Sequence, residues 1–424
     1  MLDIRRLREE TQAVKDGLAI KNFKDLHLVD EVLSHDEKRR STQHALDGLK
    51  SESKQMASEI GALFKQGKKE EAEIIRAKTG ELKTRVKALE EEMSAAEKSM
   101  QEKLILLPNV PNAKVPPGVS EADNPVVREG GTIKELNEGA LMHWDILEKH
   151  KMMSLELGAK ISGAGFPLFM GQGAKLQRSL VAFFLDEAVE VGYQEVIPPL
   201  LVNEASAYGT GQIPDKEGQM YYVTEDDLYL IPTAEVPVTN IYRDDLLKET
   251  QLPIKMCGHS QCFRREAGSY GAHVRGLNRV HQFEKVEIVQ LVHPDKSYEV
   301  LEEMAKHVES LLQKLELPYR IITLCGGDIS FASALTYDFE VWSAAQKRWL
   351  EVSSVSNFET FQTSRMKTRF KDENKKTQLV HSLNGSALAL PRIIATLLEN
   401  NQQEDGSVVL PEVLVPYFGK SKIG

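Results

Sequence analysis

Long apolar runs are missing from this 424-residue chain. None approaches the roughly 20 residues that a membrane-spanning helix needs, and the start, MLDIRRLREE, lacks the apolar core of a secretion signal. The expectation is a cytoplasmic protein with no membrane partner. Cysteine is scarce as well: Cys257, Cys262 and Cys325 make an odd set without paired metal-ligand spacing. That argues against a disulfide framework and a structural zinc site and in favour of reduced thiols. A surplus of positive charge is also absent, since 53 Lys and Arg face 63 Asp and Glu, for a net charge of −10. A strongly basic nucleic-acid binder is therefore disfavoured, and any RNA contact would rest on local basic patches and on shape. What is present, 41% hydrophobic and 27% charged residues, is ordinary globular composition. The length suffices for two domains or more.

Leu2, Ile4, Leu7, Val14 and Leu18 form a partial helical stripe at the start. From Leu28 to Phe64, Leu28, Val32, Leu46, Leu49, Met56, Ile60 and Leu63 fall at three- and four-residue steps, in a frame gapped by His35, Arg39, Thr42 and Ser53. A short basic turn around Gly67 follows. Ala72, Ile75, Leu82, Val86, Leu89, Met93, Ala96, Met100 and Leu107 then resume the steps. Two long helices joined by a short turn must pack antiparallel, each roughly 50 to 60 Å long at about 1.5 Å per residue. No compact core buries such a helix, so a projecting arm is expected. From the heptads alone the arm serves equally as a dimerisation or spacer device. Residues 108–131, PNVPNAKVPPGVSEADNPVVREGG, are too rich in Pro, Gly and polar residues to continue a helix and read as a linker. The expected division is thus 1–107, a linker at 108–131, and a body at 132–424.

Within the body one stretch stands out, CGHSQCFRREAGSYGAHVRGLNRVHQFEKVE, residues 257–287. At the period of a strand, Arg264 and Glu266 share one face; beyond a glycine-bearing loop, Arg279, His281, Phe283, Lys285 and Glu287 share another. Buried charges are costly unless paired, so such a face points either to a ligand carrying both signs, such as a nucleotide beside an amino acid, or to a solvated hairpin. Gly268, Gly271 and Gly276 permit close backbone approach to a ligand. Elsewhere, Leu180, Val181, Phe184, Leu185, Ala188 and Val191 form one apolar helix stripe ended by Gly192, followed by the strand YQEVIPP. In YLIPTAEVPV, Thr233 and Glu235 are two apart on a segment read as extended. Glu351 and Ser354 lie at the end of an expected strand in RWLEVSSVSNF, where Glu351 serves either an edge-strand salt bridge or, with the Ser354 hydroxyl, an oxygen site that suits Mg²⁺. In HSLNGSALALPRIIATLLENNQ, Ile393, Ile394, Leu397 and Leu398 mark one helix face with Pro391 in the first turn and Arg392 beside it.

FRREAGSYG, the RGLNRVHQF return and KVE together resemble motif 2 of class II aminoacyl-tRNA synthetases, and in detail that of seryl-tRNA synthetases. The helix, strand and Pro198 resemble motif 1, the dimer-forming element, and the last helix with Asn384, Gly385, Ser386 and Arg392 resembles motif 3. Ala387 and Pro391 stand where the family usually has Gly. The resemblance implies an α+β chain in which an antiparallel-sheet catalytic domain carries a long N-terminal antiparallel coiled-coil arm. It implies a homodimer that activates serine with ATP and Mg²⁺ and transfers the seryl group to tRNA(Ser), with tRNA(Sec) as a second candidate. By the same resemblance Arg264 and Arg392 are catalytic, and Thr233, Ala234, Glu235, Arg264, Glu287 and Ser386 surround serine. Arg264, Arg265, Glu266, Val280, Phe283, Glu351, Val352, Ser353, Ser354 and Arg392 hold ATP, and Glu351 and Ser354 hold the metal. The arm would then reach the tRNA, with Lys65, Lys68, Lys69, Arg76 and Lys78 near its tip. A non-catalytic RNA-binding or scaffold protein of the same fold is the rival, which the presence of both motif arginines disfavours. A ligase that loads an amino acid on a carrier protein would lack the arm. Threonine and proline enzymes would carry an anticodon-binding domain, whereas about 30 residues follow Arg392.

Overall fold

The computed structural model describes residues 1–215, 218–266, 271 and 274–424. Two compact units emerge, Met1–Ala19 with Phe23–Pro108, and Ile20–Asn22 with Asn109–Gly424. Among the described residues no helix is long and apolar enough to cross a membrane.

In the N-terminal unit, α1 (Ile4–Glu9) and α2 (Thr11–Ile20) bury Leu7, Val14 and Leu18. The arm is α3 (His27–Lys65) and α4 (Lys69–Leu104), 39 and 36 residues. At about 1.5 Å per residue they extend roughly 58 and 54 Å. Gly67 turns the chain at φ 77°, a left-handed conformation that glycine adopts without strain. Val32, Leu46, Ala72, Leu82, Ala96 and Met100 lie buried along the seam. Near its base the seam departs from the expected frame: Val29 rather than Leu28 is buried, and Asp36 is fully enclosed. Arg39 and Arg40 donate to the Asp36 carboxylate at 3.0 and 2.9 Å, and Arg8 approaches at 3.3 Å. Heptad reading misses this position because the arginines compensate a charge where a hydrophobe belongs.

The second unit is built on eight strands: β1 (Val126–Gly130), β2 (Gln194–Glu195), β3 (Ile254–Phe263), β4 (Gln282–Val292), β5 (Tyr319–Thr323), β6 (Leu335–Ser343), β7 (Arg348–Asn357) and β8 (His381–Ala389). Their spatial order is β1-β5-β6-β7-β8-β4-β3-β2. Every neighbouring pair is antiparallel except β2 with β3. β1 arises from the stretch that composition assigns to the linker; Pro and Gly leave room for a five-residue strand, four of whose residues pair with β5 while Val127 bulges out of register. Three helices cover one face, α5 (Gly171–Glu190), α6 (Ser297–Lys314) and α7 (Leu390–Asn401). Val286, Ile288, Phe339, Val341, Val355, Leu383 and Ala387 point into that core with Leu176, Leu180, Phe184 and Ile394. Val191, expected on the buried stripe, is 47% exposed because α5 ends at Glu190 and Gly192 turns the chain at φ 91°.

Candidate active site

Residues that alternate with this core face the other side of the sheet, as the two-residue period requires. There Lys285 and Glu287 of β4, Ser354 and Ser356 of β7, and Asn384 and Ser386 of β8 line a cavity of about 650 Å³. Antiparallel register brings them together: Glu287 lies opposite Ser386, and Ser356 opposite Asn384. Thr233 and Glu235 close the cavity from a short helix, Glu235–Thr239. The segment expected to be extended is thus a helix start. The Thr233 hydroxyl accepts from the Glu235 backbone N–H at 3.2 Å and donates to Glu287 Oε2 at 3.2 Å, which explains the departure.

This chamber is strongly charged, and its Glu235 and Glu287 are buried. Glu287 is 1% exposed, and Lys285 Nζ sits 2.6 Å from its Oε2. Both the Lys285 and Thr233 contacts fall on Oε2, which among the described residues leaves Oε1 as the oxygen able to accept from a ligand. Glu235 differs. Its Oε1 accepts from the Gln362 amide at 2.6 Å, and among the described residues no cation lies within ion-pair distance of it. Burial, with the Glu287 charge second, pushes its carboxyl up to about 7. Gln362 is itself held by Ser382, which donates to its Oε1 at 2.7 Å.

A second chamber, about 250 Å³, adjoins the first, and Arg264, Glu266, Arg279, Lys285, Glu351 and Ser386 line both. Val280, Phe283 and Arg392 belong to the second alone. The Arg264 guanidinium lies 5.3 Å from the Phe283 ring centroid and donates to the Pro232 carbonyl at 3.3 Å. Arg392 donates to the carbonyls of Asn278 at 3.1 Å and Glu351 at 2.7 Å, fixing the helix start against the hairpin's return. A flat aromatic face beside two guanidinium groups, next to a buried acidic chamber, suits a phosphorylated heterocycle whose phosphate end meets a small zwitterion.

Glu351 and Ser354 sit inside β7 rather than at its end, three residues apart yet on one face. A bulge at Val352 permits this, because Glu340 pairs with Glu351 and Phe339 with Ser353. Asp338, opposite Ser354, is hydrogen-bonded to its side chain. Among the described residues its buried Oδ1 has no hydrogen-bond partner. Burial, reinforced by Glu351, pushes the Asp338 carboxyl well above the usual range. Among the described residues no group of three or more His, Cys, Asp or Glu side chains is arranged to hold a metal by itself. Hard oxygens on one face, with an orphaned carboxylate oxygen beneath, fit a cation that takes part of its shell from a substrate's phosphates.

Comparison with known proteins matches this geometry at both ends of the chain. The family model described as seryl-tRNA synthetase N-terminal domain covers residues 1–111, and that of the class II tRNA synthetase core domain (G, H, P, S and T) covers residues 221–401. A serine–tRNA ligase of Salinibacter ruber is 51% identical over 100% of this chain and 99% of its own. The chain belongs to the seryl-tRNA synthetase family. It is therefore a ligase that makes aminoacyl-tRNA, with a class II catalytic core. A second relative, from Akkermansia muciniphila, is 46% identical over 99% of this chain and 98% of its own. Among solved structures, the seryl-tRNA synthetase of Pyrococcus horikoshii complexed with ATP superposes with a TM-score of 0.94 at 35% identity, covering 100% of this chain and 99% of that one. The cytoplasmic enzyme of Naegleria fowleri in complex with AMP gives 0.88 at 27% identity, covering 100% and 98%.

Set against the expectations for this family, Thr233, Glu235, Arg264, Glu287, Ser386, Glu266, Val280, Phe283, Glu351, Val352, Ser353, Ser354 and Arg392 all reach one of the two chambers. Two do not. Ala234 packs into an apolar cluster with Val238, Met256 and Val289, and Arg265 is exposed, its backbone N–H donating to the Gln219 carbonyl at 2.9 Å. His281, read as part of the charged face, stacks on Phe166 instead and hydrogen-bonds the Tyr221 hydroxyl at 2.8 Å. Glu266 takes a left-handed φ of 48° and pairs with Arg279 at 2.9 Å, so the Arg-x-Glu segment is not a strand. Gly268 lies outside the described residues. Sequence reasoning placed Lys285 on the ligand-facing side of the hairpin without giving it a role, and missed Gln362 and Asp338, whose partners are distant in sequence.

Proposed function

We propose that this chain activates serine with ATP to seryl-adenylate and transfers the seryl group to tRNA(Ser). The observation that carries the reading is the pairing of chambers: an acidic one with spare carboxylate oxygens on Glu235 and Glu287, and a phosphate- and ring-binding one, sharing Arg264. Serine's ammonium enters beside Glu235 and supplies the missing cation, while its hydroxyl donates to Glu287 Oε1. Its carboxylate oxygen attacks the α-phosphorus, the bond to pyrophosphate breaks, and Arg264 neutralises the charge that develops. A tRNA ribose hydroxyl then attacks the carbonyl carbon and AMP leaves. No protein nucleophile is required; positioning, worth up to several kcal/mol, and charge stabilisation carry the catalysis. Phe283 stacks on the adenine, the Glu266 carboxylate accepts from its amino group, and Arg392 closes the other side. Glu351 and Ser354 would hold Mg²⁺, which screens and orients the phosphates.

Alanine leaves the Glu287 oxygen without its donor, a loss that discriminates by factors on the order of 10⁴. Threonine must be rejected by size, a weaker handle. The ATP and AMP complexes of the two structural relatives support the nucleotide assignment. Exposed Val189, Val191, Ile197, Leu200 and Leu201, in the segments that precede and follow the short edge strand β2, support a homodimer. ATP–pyrophosphate exchange with each of the twenty amino acids, followed by charging of tRNA(Ser) and tRNA(Sec) transcripts, tests the assignment. Serine alone should stimulate exchange strongly; equal stimulation by alanine or threonine would overturn the pocket assignment.

A further inference from the structure

One wall of the larger chamber is a loop, residues 330–333, whose Ser330, Phe331 and Ala332 line the cavity. The carbonyls of this loop are taken up by two residues far away in sequence. Lys21 Nζ donates to Ser330 at 2.8 Å, Phe331 at 3.3 Å and Ser333 at 2.6 Å. Asn109 donates from its backbone to the Phe331 carbonyl at 2.9 Å and from its amide to those of Ala332 at 3.0 Å and Phe358 at 2.9 Å. An ammonium has three N–H donors and no acceptor, so three carbonyl partners satisfy it in full. The segment that carries Lys21 is firmly seated: the Ile20 carbonyl lies where a Cβ on Gly326 would sit, and Asn22 donates to the Gly118 carbonyl at 2.8 Å.

The consequence concerns competition for the substrate. An amino acid offers an ammonium and, in serine, a hydroxyl, both of which seek acceptors. Carbonyls turned into the chamber would compete with Glu235 and Glu287 for these donors and admit misplaced binding. With the carbonyls bonded to Lys21 and Asn109, they are turned toward those donors. We propose that Lys21 is a positioning residue for the amino-acid chamber, holding the 330–333 wall with its carbonyls away from bound serine. This rests on the serine-activating reading given above. Lys21 touches neither substrate nor nucleotide in this role; it acts through the loop.

The test compares full-length Lys21→Met and Lys21→Gln with wild type in serine-dependent ATP–pyrophosphate exchange. Hydrogen–deuterium exchange of peptides spanning 328–334 is read in parallel. The methionine variant should raise the serine KM about tenfold while the ATP KM and kcat stay within about twofold, with faster exchange confined to the 328–334 peptides. Glutamine, which restores two donors, should recover part of the loss. An unchanged serine KM in a folded Lys21→Met protein, or equal losses for serine and ATP, would overturn the proposal. Should the methionine variant not fold, the same outcomes are read from the glutamine variant at an intermediate serine KM of about threefold. If the wild type itself showed no serine-dependent exchange, the functional reading would fail rather than the role of Lys21.

Discussion

Glu235→Gln separates binding from stability in one substitution. In the free protein the Glu235 carboxylate is 7% exposed, faces the Glu287 charge and has an amide rather than a cation as partner. Its folded-state pKa, raised to about 7, lies above its value in the unfolded chain. The folded state therefore holds an extra proton between roughly pH 4.5 and 7, and folding stability falls as pH rises through that window. The penalty is fully present above about 7; at about 1.4 kcal/mol per pH unit it reaches about 3 kcal/mol as an upper limit. Glutamine keeps the oxygen that accepts from Gln362 and removes the charge. The variant should thus melt higher than wild type at pH 8, by on the order of 5 °C, and the difference should shrink to roughly a quarter of that near pH 5. Its serine KM should rise roughly 10- to 150-fold, because a hydrogen bond to a charged partner contributes about 1.5–3 kcal/mol. Thermal denaturation at pH 5, 6, 7 and 8 and pyrophosphate exchange measure the two effects. A variant that melts with wild type at every pH, or binds serine as well, would refute the reasoning.

Wild-type serine binding should release a proton near neutral pH as the ammonium pairs with Glu235, which calorimetry in buffers of different ionisation enthalpy detects; the variant should release none. Phe283→Ala should raise the ATP KM about 5- to 30-fold, the equivalent of about 1–2 kcal/mol of lost stacking and burial, with the serine KM little changed. Arg264→Ala should lower kcat for exchange by roughly 10²–10³, the usual loss when one donor to developing charge is removed, and single-turnover adenylate formation would report it directly. Excising residues 28–104 should spare adenylate formation while abolishing tRNA charging; unchanged charging would reduce the arm to a spacer.

Local pattern carried much of this site, and its failures are specific. Phe283, Lys285 and Glu287 alternate on a true strand, so their shared face was readable at a period of two. The same period misled at Arg264 and Glu266, where a left-handed residue interrupts the extended chain, and at Thr233 and Glu235, which a helix start brings together through the threonine hydroxyl. Glu351 and Ser354 share a face only because of the bulge at Val352, which no local composition announces. The arm's seam was legible from its heptads except near its base, where Val29 replaces Leu28 and where Arg8 and two arginines of the same helix as Asp36 let that carboxylate override the hydrophobic rule. Gln362, Asp338 and Lys21 were silent in the sequence because their roles depend on partners distant along the chain.

The most direct measurement is a crystal structure with a non-hydrolysable seryl-adenylate analogue. The account predicts the adenine against Phe283, the phosphate mimic beside Arg264, and the serine ammonium and hydroxyl on Glu235 and Glu287. An analogue bound elsewhere, with Arg264, Phe283 and Glu287 turned to solvent, would contradict it.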